Sequence, residues 1–262
     1  MSKSLLEKSR AINRILQKIA GHPVNFFEIA DVLCKNLECT VFIVGRRGQI
    51  GGYAFAEGAI CQEIQQLIKH AERFPESFNQ ELLNIFETQT NIILKDGRKC
   101  LFNPDNVNCS CSARIWSITP VFGGARRIGT LIFMRDKVKF TEEDIVLIEY
   151  GAMVMANEIM RIRTERIEEE ARKKASVQIA LATLSYSEKE AIDHIIAELK
   201  GKEGLLVASR IADKVGITRS VIVSALRKFE SAGVIESRSL GMKGTYIKVL
   251  NDYLFEELRN HT

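Results

Sequence analysis

The length, composition and charge of the chain exclude several classes of protein. A length of 262 residues allows about two domains, and 46% hydrophobic with 27% charged residues is typical of globular rather than disordered chains. The first 18 residues interleave charge with apolar pairs and therefore lack the apolar core of a signal peptide, and no later run approaches the roughly 20 apolar residues of a membrane span. These features predict a cytoplasmic protein. The net charge of +4 is too small to favour any one class of binding partner.

The first 140 residues alternate between helical and strand patterns. Some segments repeat apolar residues at helical spacing, whereas others are short β-branched or aromatic runs bounded by turn residues. Turn sequences at Arg46-Arg47-Gly48 and at 123–127 predict β-hairpins, and hairpins favour an antiparallel sheet with helices packed against it. The predicted fold class is therefore α+β, with a GAF-like or PAS-like sensor domain first. The predicted elements are helices over 4–20, 27–37 and 60–71, a helix after Pro75, and strands over 40–44, 50–55, 92–94, 100–102, 115–122 and 128–134.

A long helix is predicted next. Thr141 is followed by Glu142, Glu143 and Asp144, which is the pattern of a capped helix start. Neither Gly nor Pro occurs between Ala152 and Gly201, so the helix can continue to about Leu184, roughly 60 Å at 1.5 Å per residue. The predicted organisation is a sensor domain over 1–140, a linker or dimerisation helix over 141–185 and a DNA-binding domain over 186–262.

The C-terminal segment has the spacing of a winged helix-turn-helix. A capping pattern at 187–190 predicts a helix that ends near Gly201. A short helix over 208–215, a turn at Gly216-Ile217 and a helix over 219–231 capped by Thr218 form the helix-turn-helix. The strand patterns 234–239 and 245–250, joined by 240–244, predict the wing.

One side of the second helix is suited to DNA. Apolar residues cluster on the opposite side, at positions that must pack inward. Residues 201–250 contain nine Lys or Arg and four Asp or Glu, a local charge of +5 that favours nucleic acid over an ordinary solvated face. The predicted DNA-contacting residues are Ser209, Thr218, Arg219, Ser220, Ser224, Arg227, Lys228, Arg238, Ser239 and Lys243. Phosphorylation of Ser220 would place a negative charge against the DNA backbone and is predicted to prevent binding.

Residues 208–250, together with the upstream sequence LSYSEKEAI, resemble the CodY family of global nutrient-responsive transcriptional regulators. The likeness continues through LLEKSRAINRILQK, PVNF, RRG, FPESF, GGARRIGTLI and EEEARKKA. It implies a homodimer, or a tetramer, that binds an AT-rich inverted repeat in double-stranded DNA and mainly represses nutrient-limitation and stationary-phase genes. Isoleucine, leucine, valine and GTP would act as effectors that raise DNA affinity, and no enzymatic activity is implied.

The resemblance also assigns effector sites. Phe74, Pro75, Phe78 and Phe102 would line an amino-acid pocket, although the arginine that the family places in the preceding helix is replaced by the sequence CQEIQ at 61–65. Lys69 and Arg73 are candidates to supply that charge.

For GTP, the resemblance implies that Arg46 and Arg47 hold phosphates and that Glu158 accepts guanine N–H groups. Gln49 stands where many relatives carry Lys. The alternatives are that the phenylalanines are ordinary core residues and that the arginines belong to an exposed turn.

Two other classes of protein are alternatives to a nutrient-responsive regulator. Cysteines at 34, 39, 61, 100, 109 and 111 are predicted to be reduced thiols without a metal, but Cys109-Ser110-Cys111 keeps a metal or redox sensor open as an alternative. An enzyme with a DNA-binding tail is disfavoured, because the first half carries no carboxylate pair, nucleophile with a base, or metal-ligand quartet at recognisable spacing.

Overall fold

The computed structural model describes residues 4–18, 25–56, 68, 73–93, 114–199 and 201–261. The chain forms two compact units, Met1–Thr164 and Glu165–Thr262. The predicted long helix is confirmed as one helix over Glu142–Ala182, which contributes residues to both units.

The first unit contains an antiparallel sheet of five described strands in the order β2-β1-β5-β4-β3. The hairpins predicted from the turn sequences are confirmed as the β1–β2 and β4–β5 pairs, and the α+β class is confirmed with them. The described elements of this unit are α1 (Leu5–Lys18), α2 (Phe26–Leu37), β1 (Thr40–Gly45), β2 (Ile50–Ala54), α3 (Glu76–Leu83), β3 (Gln89–Ile93), β4 (Ile115–Gly123), β5 (Arg126–Arg135) and the first half of α4 (Glu142–Ala182).

Both faces of this sheet are buried. Successive side chains of a strand point to opposite faces, so Val41 lies in a core formed with α1, α2 and α4, whereas its neighbour Phe42 lies in a second core that includes α3. The same alternation in β5 sends Phe133 to the first core and Ile132 to the second. The sheet therefore separates a helix-packed side from a side rich in aromatic residues.

The start of α4 is fixed by a capping box. The Asp144 N–H donates to Thr141 Oγ1 over 3.2 Å, and the Thr141 N–H donates to Asp144 Oδ2 over 3.0 Å. Arg135 of β5 holds the same carboxylate at 2.9 Å. Burial alone would raise the pKa of Asp144, but the hydrogen bonds from Arg135 and Thr141 outweigh burial and lower it.

The middle of α4 is exposed, as its charged sequence predicts. Residues 163–169 are all exposed, whereas Met155 before them and Val177 after them are buried in two separate cores. Ion pairs between neighbouring turns line this stretch, with Arg166 and Glu170 at 2.9 Å and Lys173 and Glu169 at 2.7 Å. Such pairs support a helix only slightly, so this segment depends on its own backbone hydrogen bonds.

The second unit is a winged helix-turn-helix. Its sheet has the order β6-β8-β7, and its core includes Ile195, Ile211, Phe229 and Ile247. The described elements after α4 are α5 (Tyr186–Glu198), β6 (Glu203–Leu206), α6 (Ala208–Val215), α7 (Arg219–Ser231), β7 (Ile235–Ser239), a 3₁₀ turn (Gly241–Lys243), β8 (Thr245–Val249) and α8 (Tyr253–His261).

Several local predictions were wrong. The capping serine of α5 is Ser185, which exchanges hydrogen bonds with Glu188, rather than Ser187. Thr218 precedes α7, but its hydroxyl lies 2.7 Å from the Ser220 hydroxyl instead of capping the helix backbone.

Other differences concern the extent of elements. Strand β3 begins at Gln89, three residues before its predicted start. β6 and α8 were not predicted, and α5 ends at Glu198 rather than near Gly201. The predicted strand 100–102 and all of the predicted helix 60–71 except Ile68 lie outside the described residues.

Candidate functional site

The recognition helix α7 is oriented by its apolar side. Ile222, Ala225, Leu226 and Phe229 are buried in the core of the second unit, as the sequence predicts. The turn before α7 closes at Gly216, whose φ of 76° lies in the left-handed region that glycine adopts without strain. The helix therefore turns its other side outward, where the side chains of Arg219, Ser220 and Arg227 are exposed.

A buried carboxylate holds two of the predicted DNA-contacting residues. Ser224 Oγ donates to Glu188 Oε1 over 2.7 Å, and Lys228 Nζ donates to Glu188 Oε2 over 2.7 Å. Lys228 Nζ also donates to the carbonyl oxygen of Thr183 over 2.9 Å. The hydrogen bond from Lys228, followed by that from the Ser185 backbone, lowers the pKa of Glu188 to about 2. In this conformation Ser224 and Lys228 are therefore bound to the protein itself.

The exposed side of α7 borders a groove within the second unit. The groove has a volume of about 1000 Å³ and an apolar floor that includes Ile179 of α4 and Val223 of α7. Arg219, Ser220 and Arg227 lie on its wall. Two guanidinium groups thus stand beside an open concave surface.

The wing adds further basic groups. Arg238 and Ser239 at the end of β7 and Lys243 in the 3₁₀ turn are all exposed. The connection closes by a hydrogen bond of 2.8 Å from the Leu240 N–H to the Gly244 carbonyl oxygen. Ser209, in the first turn of α6, is also exposed, so every predicted DNA-contacting residue except Ser224 and Lys228 has an exposed side chain.

The aromatic core of the first unit contains the described part of the predicted amino-acid site. Phe74 and Phe78 are buried with ring centroids 5.4 Å apart, and Phe74 lies 5.6 Å from Phe42. Phe78 also lies 6.4 Å from Trp116. Pro75 is the residue before α3, and Phe102 lies outside the described residues.

Sequence reasoning missed Phe42 and Trp116. Both could have been found from strand alternation, because each lies on the sheet face opposite the helix-packed core.

The predicted nucleotide turn is exposed on one side and supported on the other. The side chains of Arg46 and Arg47 are exposed, and the Arg47 N–H donates to Gln49 Oε1 over 3.1 Å. Arg73 is exposed and forms an isolated antiparallel bridge with Gln49. Arg73, one of the two candidate cations for the amino-acid pocket, therefore lies at the surface next to this turn, and the other, Lys69, lies outside the described residues.

Glu158 lies at the same end of the sheet as the turn. β1 reaches the turn at Gly45, which pairs with Gly129 of β5. A side chain at Gly123, on the end of the β4–β5 hairpin, would meet Met160 Sδ at 2.7 Å, so this part of α4 lies against that end. Glu158 itself is buried and accepts a hydrogen bond of 3.1 Å from Arg161. A bound guanine would have to share this carboxylate with Arg161.

The cysteines are described in part. Cys34 and Cys39 are buried free thiols, and burial raises the pKa of both, which disfavours the reactive thiolate. The other four cysteines lie outside the described residues. In the part of the chain that the structure describes, no three His, Cys, Asp or Glu side chains are grouped as metal ligands. Among the described helices, none has the length and hydropathy of a transmembrane segment.

Known proteins match both units of the chain. Residues 4–183 match the family model of the CodY GAF-like domain, and residues 202–262 match that of the CodY helix-turn-helix domain. The Global transcriptional regulator CodY of Clostridium botulinum is 54% identical over 98% of each chain, and that of Clostridium tetani is 52% identical over 98% of each. The solved cofactor-binding GAF domain of the nutrient sensor CodY from Clostridium difficile is 27% identical, with 61% of this chain and 99% of that chain covered and a TM-score of 0.41.

A GAF-like domain followed by a helix-turn-helix with an exposed basic face defines a DNA-binding transcription regulator rather than an enzyme. The chain belongs to the CodY family of global transcriptional regulators. The resemblance seen in the sequence is thereby confirmed, and so is the expectation that the protein is not an enzyme.

Proposed function

We propose that the protein is mainly a repressor of nutrient-limitation and stationary-phase genes, which binds an AT-rich inverted repeat more tightly in the presence of branched-chain amino acids and GTP. The observation that carries the DNA-binding part is the exposed basic side of α7, with Arg219 and Arg227 beside an open groove. Guanidinium groups on a recognition helix are suited to phosphates and to guanine edges in a major groove.

The wing supplies a second contact region. Arg238 and Lys243 would reach the DNA backbone or the minor groove, Ser239 would accompany them, and Ser209 and Thr218 would bind phosphates from α6 and the turn. An inverted repeat calls for a homodimer, since two-fold symmetry of the site mirrors two-fold symmetry of the protein, and a tetramer is the alternative. Such a regulator would act in the cytoplasm.

For the amino acid, the proposal rests on the aromatic core. Phe74 and Phe78 offer apolar surface to an aliphatic side chain such as that of isoleucine, valine or leucine, and Pro75 and Phe102 would complete the pocket. The carboxylate of the ligand needs a hydrogen-bonding partner, because an unpaired buried charge is costly. Arg73 lies at the surface beside Gln49, so Lys69 is the remaining candidate cation for that carboxylate.

For GTP, the proposal rests on the turn and on Glu158. Arg46 and Arg47 are exposed and free to bind phosphate oxygens in a bidentate manner. Glu158, at the same end of the sheet, would accept the guanine N–H donors. The two cations would bind the phosphate end of the nucleotide, and the carboxylate would bind its base.

A phosphorylation switch at Ser220 is part of the same proposal. Ser220 is exposed on the groove wall, as are both arginines of α7. A phosphate there would bring about two negative charges to the surface that faces DNA.

Fluorescence anisotropy at fixed salt tests the proposal with a labelled AT-rich inverted repeat and a scrambled duplex. Isoleucine and GTP, added separately and together, are expected to tighten binding to the repeat only. A variant with Arg46→Glu and Arg47→Glu is expected to lose the response to GTP and keep the response to isoleucine. Equal binding to both duplexes would refute the DNA site, whereas specific binding that neither ligand changes would refute the effectors.

A further inference from the structure

The predicted nucleotide turn is attached to the segment that begins the amino-acid site. The Phe74 N–H donates to the Gly48 carbonyl oxygen over 2.9 Å, and the preceding residue, Arg73, pairs with Gln49. These contacts form a short antiparallel pairing between the turn and the entry to α3. The backbone of the turn and the backbone at Phe74 therefore move together.

Asn79 of α3 makes the second connection. Its side chain is only 3% exposed, and its Nδ2 donates to the Arg46 carbonyl oxygen over 3.3 Å. A side chain at Gly48, whose φ is +80°, would meet Asn79 Cγ at 3.2 Å. Asn79 thus fills the inner side of the turn and fixes the backbone from which the two arginines project.

The residue before Asn79 belongs to the other site. Phe78 packs edge-on against Phe74 at 84° and lies in the same aromatic core as Phe42 and Trp116. In a helix the two neighbours are rigidly related, so a displacement of Phe78 displaces Asn79 as well. One turn of α3 therefore contacts both predicted effector sites.

The far end of α3 is anchored to the sheet by Arg127 of β5. Its Nη2 donates to the Leu82 carbonyl oxygen and to Thr130 Oγ1, each over 2.8 Å, and its Nη1 donates to the carbonyl oxygens of Leu83 and Ile85. The Leu82 and Leu83 carbonyls belong to the last turn of the helix, which leaves them without partners within the helix, and Ile85 follows that turn. A cation there also favours the helix dipole. Burial lowers the pKa of Arg127. Because this end is held, we expect a ligand that displaces α3 to move the end that carries Phe78 and Asn79.

We propose that Asn79 is a positioning residue that couples the two effector sites, so that an aliphatic amino acid in the aromatic core and a nucleoside triphosphate on the Arg46–Gly48 turn strengthen each other's binding. The inference rests on the effector sites proposed above. Both ligands favour the same placement of α3, and such coupling amounts to roughly a 5- to 150-fold change in affinity. Linkage requires the factor to be the same whichever ligand is added first.

Isothermal titration of the full-length protein tests this coupling. Isoleucine is titrated with and without saturating GTP, and GTP with and without saturating isoleucine. In the parent protein each ligand is expected to lower the Kd of the other about fivefold or more. Asn79→Ala is expected to reduce that factor to about one while each ligand still binds alone.

Asn84→Ala is the matched control, since Asn84 is the exposed residue that ends the same helix. It should keep the parent coupling factor. If Asn79→Ala does not fold by circular dichroism, Asn79→Ser replaces it, because the serine hydroxyl is too short to reach the Arg46 carbonyl oxygen.

The possible failures are distinguishable. An unchanged factor in the Asn79 variants, or independent binding of the two ligands in the parent protein, overturns the coupling and leaves the effector sites intact. Failure of the parent protein to bind isoleucine or GTP alone overturns the proposed effectors, and the coupling falls with them.

Discussion

Glu188 of α5 and Lys228 of α7 form a 2.7 Å ion pair whose carboxylate side chain is only 8% exposed. The pair joins α5 to the recognition helix α7. A residue that faces away from the core in a helical projection is thus not necessarily available to DNA. On α7, some polar residues therefore hold the helix in place, whereas others face outward.

We expect Lys228→Met to affect mainly the stability of the protein and Arg227→Met to affect mainly its binding to DNA. Loss of Lys228 leaves the buried Glu188 carboxylate without its cation and should cost about 1–3 kcal/mol of unfolding free energy. Loss of the exposed Arg227 should leave stability nearly unchanged but reduce the salt dependence of DNA binding by about one phosphate contact. Chemical denaturation and anisotropy over a salt series measure the two effects, and equal salt dependence in both variants would contradict the assignment.

The Glu188 carboxylate should make stability depend on pH. Its folded pKa of about 2 lies below the ordinary value of about 4.3, so its contribution is fully present above the ordinary value and is lost as pH falls towards 2. The difference in unfolding free energy between the parent protein and Glu188→Gln should therefore be constant near neutral pH and shrink between about pH 4.3 and pH 2. Glu190→Gln on the same helix is the control, and a pH-independent difference for Glu188→Gln would count against the buried pair.

Strand β2 approaches α2 so closely at Gly52 that a larger residue there should destabilise the protein. A Cβ at Gly52 would lie 2.6 Å from the backbone carbonyl carbon and oxygen of Phe26, whereas a Cβ at Gly51 would find its nearest neighbours at 3.7 Å. Gly52→Ala should therefore destabilise the protein by about 1–3 kcal/mol. Gly51→Ala should leave the free energy of unfolding nearly unchanged. Urea titration of both variants measures the effect, and similar losses of stability in the two would contradict this geometry.

A negative charge at Ser220 should lower the affinity of the protein for DNA. Ser220→Asp is expected to weaken binding to the inverted repeat by roughly tenfold or more, because like charges brought together at an interface cost several kcal/mol. Ser220→Ala removes the hydroxyl without adding charge and should keep most of the affinity. Anisotropy at fixed salt compares them, and equal losses would point to the hydroxyl rather than to charge.

The sequence predicted those elements that are specified by residues close together in the chain, such as turns and helix caps. The hairpin at Arg46–Gly48, the capped start of α4 at Thr141 and the wing around 240–244 were all found from spacing and turn residues. β6 was missed because its four residues contain Gly204, carry little alternation and are defined by pairing with β8, some 40 residues later.

The site was harder to predict than the fold. A helical projection placed Ser224 and Lys228 on the outer side of α7, but their partner Glu188 comes from another helix, and only the packing of α5 against α7 brings them together. The link between Asn79 and Arg46 spans 33 residues and follows from no motif. Contacts of this kind arise from tertiary packing, which the periodicity of a single segment does not encode.

The exposed middle of α4 has a consequence for hydrogen exchange. Amide protons at 163–169 are protected by helix hydrogen bonds alone, whereas those near Met155 and Val177 are also covered by a packed core. The middle can open and exchange with deuterium without exposing apolar surface of either core. It is therefore the segment of α4 in which exchange should be fastest, and the place where a ligand that alters the helix would be detected with least interference from global unfolding.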